Sequence, residues 1–326
     1  MPFTLAHPAA VLPLLRRPFS RAALVAGAVA PDLPYFVVTT GLPVSAQSWY
    51  EPFVNATTSH SVPGAVTVAL PYALALWGLL RAGERPLASL LPLPLPLPEP
   101  EPVPVPLPEP SAASWLRTAG ALARRAGWIV LSALIGIATH LVWDAFTHFD
   151  GFVVTRTPWL NSTLVGGLTW ARALQHASTI GGLAAIAVYV WPRRARFLSA
   201  EGRTKPVGET RRPVLLAVAL VTLVGAVAHA WRWLAGPEAV TDGLPLSAVV
   251  EGVLSDAAKG AGAGLIGSLT LYVLMWWSRR ALAATRLRRV RVDAVRPGPQ
   301  GERGAVHRQS EHQAESDGRS GTRPTR

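Results

Sequence analysis

Residues 127–148 read GWIVLSALIGIATHLVWDAFTH, and this stretch decides how the rest of the chain is interpreted. It is long enough to cross a membrane as a helix, because about 20 helical residues span a hydrocarbon core roughly 30 Å thick. It nevertheless contains His140, Asp144 and His148, which are spaced four residues apart and so share one helix face. Ionisable groups inside a membrane span are costly and mark functional sites by default. This face is therefore the first candidate site.

The composition of the whole chain supports the membrane interpretation. Of 326 residues, 50% are apolar and 15% are charged, and there is no cysteine, which excludes disulfides, thiolate metal sites and cysteine nucleophiles. The net charge of +12 comes from short arginine clusters between long uncharged stretches. A nucleic-acid-binding domain would instead gather its basic residues on one exposed face, so we expect no nucleic acid partner.

Five further stretches qualify as spans, and arginine placement orients all six. The stretches are Ala22–Val38, Val62–Leu80, Ala177–Trp191, Pro213–Leu234 and Gly260–Ser278. Arginines flank alternate ends of successive spans, and short cytoplasmic loops carry an excess of such residues. The sequence therefore predicts an all-α, polytopic membrane helical bundle of about six spans (five to seven), with both termini cytoplasmic, integral to the plasma membrane.

Two segments are expected to lie outside the bundle. Residues 91–110 alternate proline with Leu, Val or Glu, which favours a polyproline II spacer. The polar residues 292–326 cannot bury enough surface to order themselves and are expected to be disordered. The predicted organisation is thus N-terminal spans in 1–90, a linker in 91–110, C-terminal spans in 111–291, and a tail.

Other titratable residues extend the candidate site. His7 precedes a short apolar run, Asp32 lies between Pro31 and Pro34, and His60 immediately precedes a span. Each has an ordinary explanation alone, as a surface residue, a turn acceptor or an interfacial residue, and Asp144 could simply accept a hydrogen bond from His140. Together with His140 and Asp144 they form a set of nitrogen and oxygen ligands that suits a divalent metal, namely Zn, Mn or Fe.

One spacing conflicts with a single site. His7 and Asp32 lie about 10 residues from the nearest arginine, whereas His60 and Asp144 lie about 20 residues from theirs. The first two would therefore sit nearer the membrane centre, unless the first span is short or bent.

The chain resembles a known bacterial membrane-protein family of unknown function, DUF4184. The resemblance is carried over about residues 1–240 by the opening MPFTLAHPAAV, by APDLPYF, TSHS and HLVWDAFTH, and by the later LQHAS. The order of these elements is similar to that of predicted membrane-bound metal-dependent hydrolases and, more distantly, of the all-helical zinc-dependent phospholipase C superfamily. The resemblance implies metal ligands and two further ligand or acid–base groups; the ligands are His7, Asp32, His60, His140 and Asp144, and the further groups are His148 and His176. The residue four positions after His176 is Ile180, where the phospholipases have a Glu ligand, so one or two metal ions are expected.

These observations predict a metal-dependent hydrolase of a lipid or lipid-linked phosphoester, with Zn as the expected ion. Arg156 and Arg172 are the candidate anion contacts, and the expected partner is membrane lipid. The alternatives are a non-catalytic scaffold with a structural metal, or a transporter. Transporters tend to show internal repeats with interrupted helices, and the sequence contains no such repeat.

Overall fold

A computed structural model describes residues 4–39, 41–42, 44–45, 47–90, 112–192, 208–236 and 246–295, and these are mainly helical. The short helices are α2 (Leu33–Val38), α3 (Glu51–Val54), α4 (Ala56–Ser59), α5 (Val62–Gly64) and α8 (Pro158–Asn161). The longer ones are α1 (Arg21–Val29), α6 (Leu70–Leu90), α7 (Ala112–Thr147), α9 (Trp170–Val190), α10 (Gly208–Ala235) and α11 (Leu246–Val295). A small antiparallel hairpin pairs β1 (Thr163–Val165) with β2 (Leu168–Thr169).

Six helical segments are long and apolar enough to cross a membrane, which confirms the predicted polytopic all-α class. They are Arg21–Val38, Val62–Leu87, Arg117–Thr147, Trp170–Val190, Arg211–Ala235 and Ala248–Arg286. The fourth begins seven residues earlier than the sequence indicated, because the polar residues of its first turns still form regular helix. The proline-rich segment 91–110 lies outside the described residues. So do residues 296–326 of the predicted tail, whereas α11 continues through residues 292–295.

The chain divides into two units, Met1–Val273 and Leu274–Arg326. The first unit contains all the predicted metal ligands and also the two further predicted groups, His148 and His176. It also contains an element that span counting misses, a 3₁₀-helix over Thr4–Leu14 that packs against α1, α7 and α9. Pro8 and Pro13 lie within it and provide no backbone N–H. This segment is too short to span a membrane, and it buries His7 among the longer helices.

The first span changes geometry at its prolines. Helix α1 ends at Val29, a single 3₁₀ turn covers Ala30–Asp32, and α2 begins at Leu33. Pro31 and Pro34 interrupt the regular hydrogen-bond ladder because they lack a backbone N–H. The turn leaves Asp32 fully buried beside the break.

Helices α1 and α7 pack in parallel at close range. The backbone N–H of Ser20 donates to Ser132 Oγ at 2.9 Å, and His140 lies against the carbonyl oxygen of Ala28 at 2.8 Å. Both pairs are 112 residues apart, so the two helices run side by side in constant register. Gly136 allows this approach, because a side chain there would meet the backbone of α1 at Leu24 and Ala28. Small residues at such crossings let membrane helices approach closely.

This register resolves the conflict in spacing for Asp32. The start of α1 is level with Ser132, seven residues beyond Arg125 on α7. At 1.5 Å per residue, α1 therefore starts about 10 Å further along the bundle than the α7 arginines. Asp32 and Asp144 consequently reach the same level, although their distances from the nearest arginine differ.

Helices α6 and α10 run in opposite directions. Arg211 at the start of α10 donates to the carbonyl oxygen of Leu90 at the end of α6, at 2.8 Å. Near the other end of α10, His229 contacts the carbonyl oxygen of Thr39 at 3.2 Å. One end of the bundle thus gathers the arginines that flank these helices. We call it the basic end and the opposite one the site end.

The close crossing gives a test of the fold. We expect Gly136→Ala to lower the free energy of unfolding by about 1–3 kcal/mol, because the added methyl group must displace backbone atoms of α1. Gly127→Ala is the matched control: it lies on the same helix with open space around it and should be neutral or slightly stabilising. Thermal unfolding of the two purified variants in detergent measures the difference. Equal melting temperatures would contradict the packing.

Candidate metal centre

Four side chains from three parts of the chain meet at the site end. Each of Asp32, His60, His140 and Asp144 offers one nitrogen or oxygen atom, and these four atoms lie within 4.8 Å of one another. Asp32 comes from the 3₁₀ turn after α1, His60 from the end of α4, and His140 and Asp144 from successive turns of α7. The structure therefore brings together four of the five ligands that the sequence predicted.

Helix α1 fixes the orientation of His140. Its Nδ1 lies 2.8 Å from the carbonyl oxygen of Ala28, in the last turn of α1, where helix carbonyls lack intrahelical partners. Since a carbonyl can only accept, Nδ1 carries the hydrogen and Nε2 keeps its lone pair for the cluster. A backbone or carboxylate partner on the second nitrogen is typical of metal-binding histidines.

His60 is fixed in the same way. Its Nδ1 lies 2.7 Å from the carbonyl oxygen of Ala56, which again leaves Nε2 free to face the cluster. The preceding residue, Ser59, is fully buried and donates its hydroxyl to the carbonyl oxygen of Pro31 at 2.6 Å. The proline break thus positions Asp32 in the cluster, and the Pro31 carbonyl accepts the hydrogen bond that holds the His60 turn beside it.

Five of the six distances within the cluster are close to the edges of a coordination tetrahedron. Zinc bonds to nitrogen and oxygen are about 2.0–2.1 Å long, which puts tetrahedral ligands about 3.3 Å apart. The observed separations are 3.2 Å for His60–His140, 3.3 Å for His60–Asp144, 3.1 Å for His140–Asp144 and 3.5 Å from Asp32 to each histidine. In the neutral form of both rings the two facing Nε2 atoms bring lone pairs, and a cation between them would remove their mutual repulsion.

The buried carboxylates lack other partners. Within the described part of the chain, neither oxygen of Asp32 nor Oδ2 of Asp144 has a hydrogen-bond partner, although all three atoms are buried. The neighbouring Nε2 atoms approach at ion-pair distance without hydrogen-bond geometry. Burial of an unpaired carboxylate is strongly unfavourable. A divalent cation would neutralise the two aspartates and satisfy their oxygens, so the donor set fits the metal.

The second oxygen of Asp144 faces two other histidines. Its Oδ1 is 3.1 Å from His7 Nε2 and 3.4 Å from His148 Nε2. The ring of His7 also stacks on His140, with centroids 3.9 Å apart. His7, which the sequence predicted as a fifth ligand, lies beside the cluster and contacts the oxygen of Asp144 that faces away from the other three residues.

Two histidines outside the spans show opposite electrostatic effects. Burial by itself lowers the pKa of His60, but Asp144 and Asp32 outweigh it and raise the pKa to about 9. Burial also lowers the pKa of His148, and there the charges of Asp144 and Asp150 do not compensate. The two histidines differ because His60 faces both carboxylates of the cluster, whereas His148 faces only Asp144 of that pair.

A cavity lies at the site end, next to His148, which contacts Asp144 of the cluster. It has a volume of about 470 Å³, and its lining includes Tyr35, His148, Asp150, Asn161, Arg172 and Glu251. We call it the His148 cavity. Asp32, His140 and His7 are almost fully buried, whereas the side chains of His60 and His148 are 20% and 18% exposed. Access to the cluster is therefore from the side of His60 and His148.

Two residues of the site escaped the sequence analysis. Tyr35 lines the His148 cavity and also a larger cavity of about 890 Å³ beside α10 and α11. Tyr35 lies three residues after Asp32 in a helical stretch, and this spacing could have indicated that the two side chains share one face. The role of Ser59 could not be predicted from the sequence, because it depends on a hydrogen bond to the carbonyl oxygen of Pro31, 28 residues away.

Other candidates lie away from the cluster. His176 has an exposed side chain on α9 and is not among the described residues that form the cluster or line the His148 cavity. Arg156 is also exposed, and its guanidinium stacks on the ring of Phe152 at 3.7 Å. Arg172, by contrast, lines the cavity.

The fold and the cluster define a polytopic helical membrane protein with a possible His/Asp metal site near one end of its bundle. The chain belongs to the family described as Domain of unknown function (DUF4184), whose sequence model matches residues 1–290. The match extends beyond the expected residue 240 and includes most of α11. No curated protein and no solved structure matches the chain.

The cluster predicts a measurable metal content. We expect detergent-purified protein to carry a stoichiometric divalent metal, and we expect the double variant His140→Ala, Asp144→Ala to lose it, because two of the four ligands are removed. His176→Ala should retain the metal, since that side chain is exposed on α9. Elemental analysis, after confirming helicity and a monodisperse elution profile, gives the answer. Metal-free wild type after reconstitution would show that the residues form a hydrogen-bonded core.

Proposed function

We propose that the protein is a membrane-embedded, metal-dependent hydrolase that acts on a lipid or lipid-linked phosphoester. The observation that carries this proposal is the convergence of four ligand atoms, with two otherwise unsatisfied carboxylates, beside an accessible polar cavity. Asp32, His60, His140 and Asp144 would hold the ion. Zn is the expected metal, and Mn or Fe would suit the same donors.

The chain's own residues supply the remaining parts of a hydrolytic site. A divalent ion bound here would lower the pKa of water toward neutrality and polarise a phosphoryl or acyl oxygen. His148 lines the cavity and lies against the outward oxygen of Asp144, so it is placed to accept a proton from the attacking water and return it to the leaving group. Tyr35 lines the same cavity and has a hydroxyl group that can donate a hydrogen bond to substrate.

The position along the bundle supports a lipid substrate. His140 and Asp144 lie about 22 Å and 28 Å along α7 from Arg125. Such distances support a position of the site near the far boundary of the hydrocarbon core, where lipid headgroups meet acyl chains. By the charge rule this boundary faces away from the cytoplasm in the plasma membrane. Membrane lipid is therefore the proposed partner.

A structural metal is the second candidate, and one observation favours it. Four protein ligands complete a tetrahedron, which is usual for structural zinc sites, whereas catalytic sites keep a position open. The adjoining cavity favours catalysis, because a purely structural site has no need for access. The two functions differ in whether the metal-loaded protein turns over a substrate.

The role of His148 gives the catalytic test. We expect His148→Ala to lower kcat for phospholipid or lipid-pyrophosphate hydrolysis by roughly 10²- to 10⁴-fold, the usual contribution of general acid–base catalysis. Its metal content should match that of wild type, because the four ligands remain. His176→Ala is the matched control and should keep the wild-type rate. Unchanged hydrolysis by a protein lacking both His140 and Asp144 would refute the mechanism.

The proposed sidedness can be tested directly because the chain contains no cysteine. Single cysteines at Phe149, at the site end, and at Arg125, at the basic end, both occupy exposed positions. We expect a membrane-impermeant thiol reagent applied to intact cells to label Phe149→Cys and to spare Arg125→Cys until the cells are lysed. The reverse pattern would place the site on the cytoplasmic face.

A further inference from the structure

An ion pair in the His148 cavity is not explained by metal binding. The guanidinium of Arg172, in the first turn of α9, contacts the carboxylate of Glu251 near the start of α11. Both side chains line the cavity together with His148. The lining of the cavity thus contains His148, which contacts Asp144 of the cluster, and also the arginine Arg172, which is paired with the carboxylate of Glu251.

This ion pair can be exchanged for another anion at small cost. The side chains of Arg172 and Glu251 are 45% and 41% exposed, and ion pairs at such exposure contribute little net stability. Arginine also binds phosphate by paired hydrogen bonds that match its planar guanidinium. A phosphate entering the cavity can therefore replace the Glu251 carboxylate as the partner of Arg172.

The surroundings of the cavity indicate the depth of lipid headgroups. Phe149 lines it with an 80% exposed side chain, and Trp170, also partly exposed, directly follows its lining residue Thr169. Trp159 packs edge-on against Trp170, with ring centroids 6.0 Å apart, and is exposed as well. Exposed aromatic residues at the end of a membrane bundle occur at the level of the headgroups. A phosphate at this depth is most readily supplied by a membrane lipid.

We propose that the His148 cavity binds the phosphate of a membrane lipid headgroup through Arg172, and that Glu251 competes with this phosphate for Arg172. The lipid class is one with an accessible anionic phosphate. The inference rests on the proposed function in that it assigns the substrate's phosphate to this cavity. It also adds a role for the sixth span, because its Glu251 carboxylate pairs with the Arg172 guanidinium when no lipid is bound.

Binding of a lipid that cannot be hydrolysed tests this proposal. The probe is a phosphonate analogue of dioleoyl phosphatidic acid, whose carbon–phosphorus bond prevents turnover, and dioleoylglycerol is the phosphate-free comparison. Native mass spectrometry of the full chain released from detergent reports lipid adducts and metal content in the same spectra. Inorganic phosphate is titrated in a parallel series.

We expect Arg172→Gln to weaken phosphonolipid binding roughly tenfold or more, as expected for loss of a charge-assisted contact. Glu251→Gln should strengthen it severalfold, because the competing carboxylate is gone. The double variant should bind as weakly as Arg172→Gln. Arg156→Gln is the matched control, since that exposed arginine lies outside the cavity lining, and it should bind as wild type does. Dioleoylglycerol should be insensitive to all four changes.

Three results would overturn the proposal. If Arg172→Gln binds the phosphonolipid as tightly as wild type, Arg172 does not contact the phosphate. If Glu251→Gln binds it more weakly than wild type, Glu251 does not compete with the lipid and the ion pair is structural. Displacement of the lipid signal by inorganic phosphate at equal concentration would identify a free-phosphate site. Metal content separates these outcomes from failure of the proposed function: a metal-free protein that still shows the Arg172 dependence refutes the hydrolase and keeps the lipid site.

Discussion

The close parallel contact between α1 and α7 is the constraint on which the site depends. Gly136 lets the two backbones approach until the Ala28 carbonyl can accept the Nδ1 hydrogen of His140. That contact sets the tautomer of His140 and directs its Nε2 at Asp32, at the end of the same span. A wider crossing would separate the histidine from both its orienting carbonyl and its neighbouring carboxylate. The geometry of the cluster is therefore a consequence of helix packing.

The sequence predicted the fold class and singled out all four residues of the cluster for a simple physical reason. Membrane spans need long uncharged helices, so His140 and Asp144 stand out against an apolar background. His60 and Asp32 were also recognisable, because one directly precedes a span and the other lies between two prolines. The contacts that orient them were not predictable. Ala28 and Ala56 act through backbone carbonyls, which every residue has, so no side-chain pattern reveals them.

The N-terminal segment shows a second limit of span counting. A stretch of 11 residues is too short to cross a membrane, and Thr4–Leu14 was therefore read only as an apolar run before the first span. The structure packs it against three long helices, which buries His7 against His140 and Asp144. Its position also depends on the start of α1, which is level with Ser132 and not with Arg125. Such an offset between helices along the bundle axis is set by their packing. It cannot be predicted by counting residues from the flanking arginines.

Asp144 would connect the two parts of the proposed hydrolytic site. Its Oδ2 faces His60 and His140 in the buried cluster, whereas its Oδ1 faces His7 and His148. One oxygen can therefore bind an ion while the other orients a histidine at the cavity wall. Because both oxygens belong to one carboxylate, a change in the contacts of one oxygen alters the position and charge of the other. Because α7 carries His140 and Asp144, and His148 directly follows its last residue, this one segment would set the spacing between a bound ion and the proposed proton acceptor. The last two spans need no such precision, since α11 contributes only Glu251 at the cavity and holds no residue of the cluster. The division explains why ionisable side chains of the site concentrate in the first part of the chain, where the helices pack most closely.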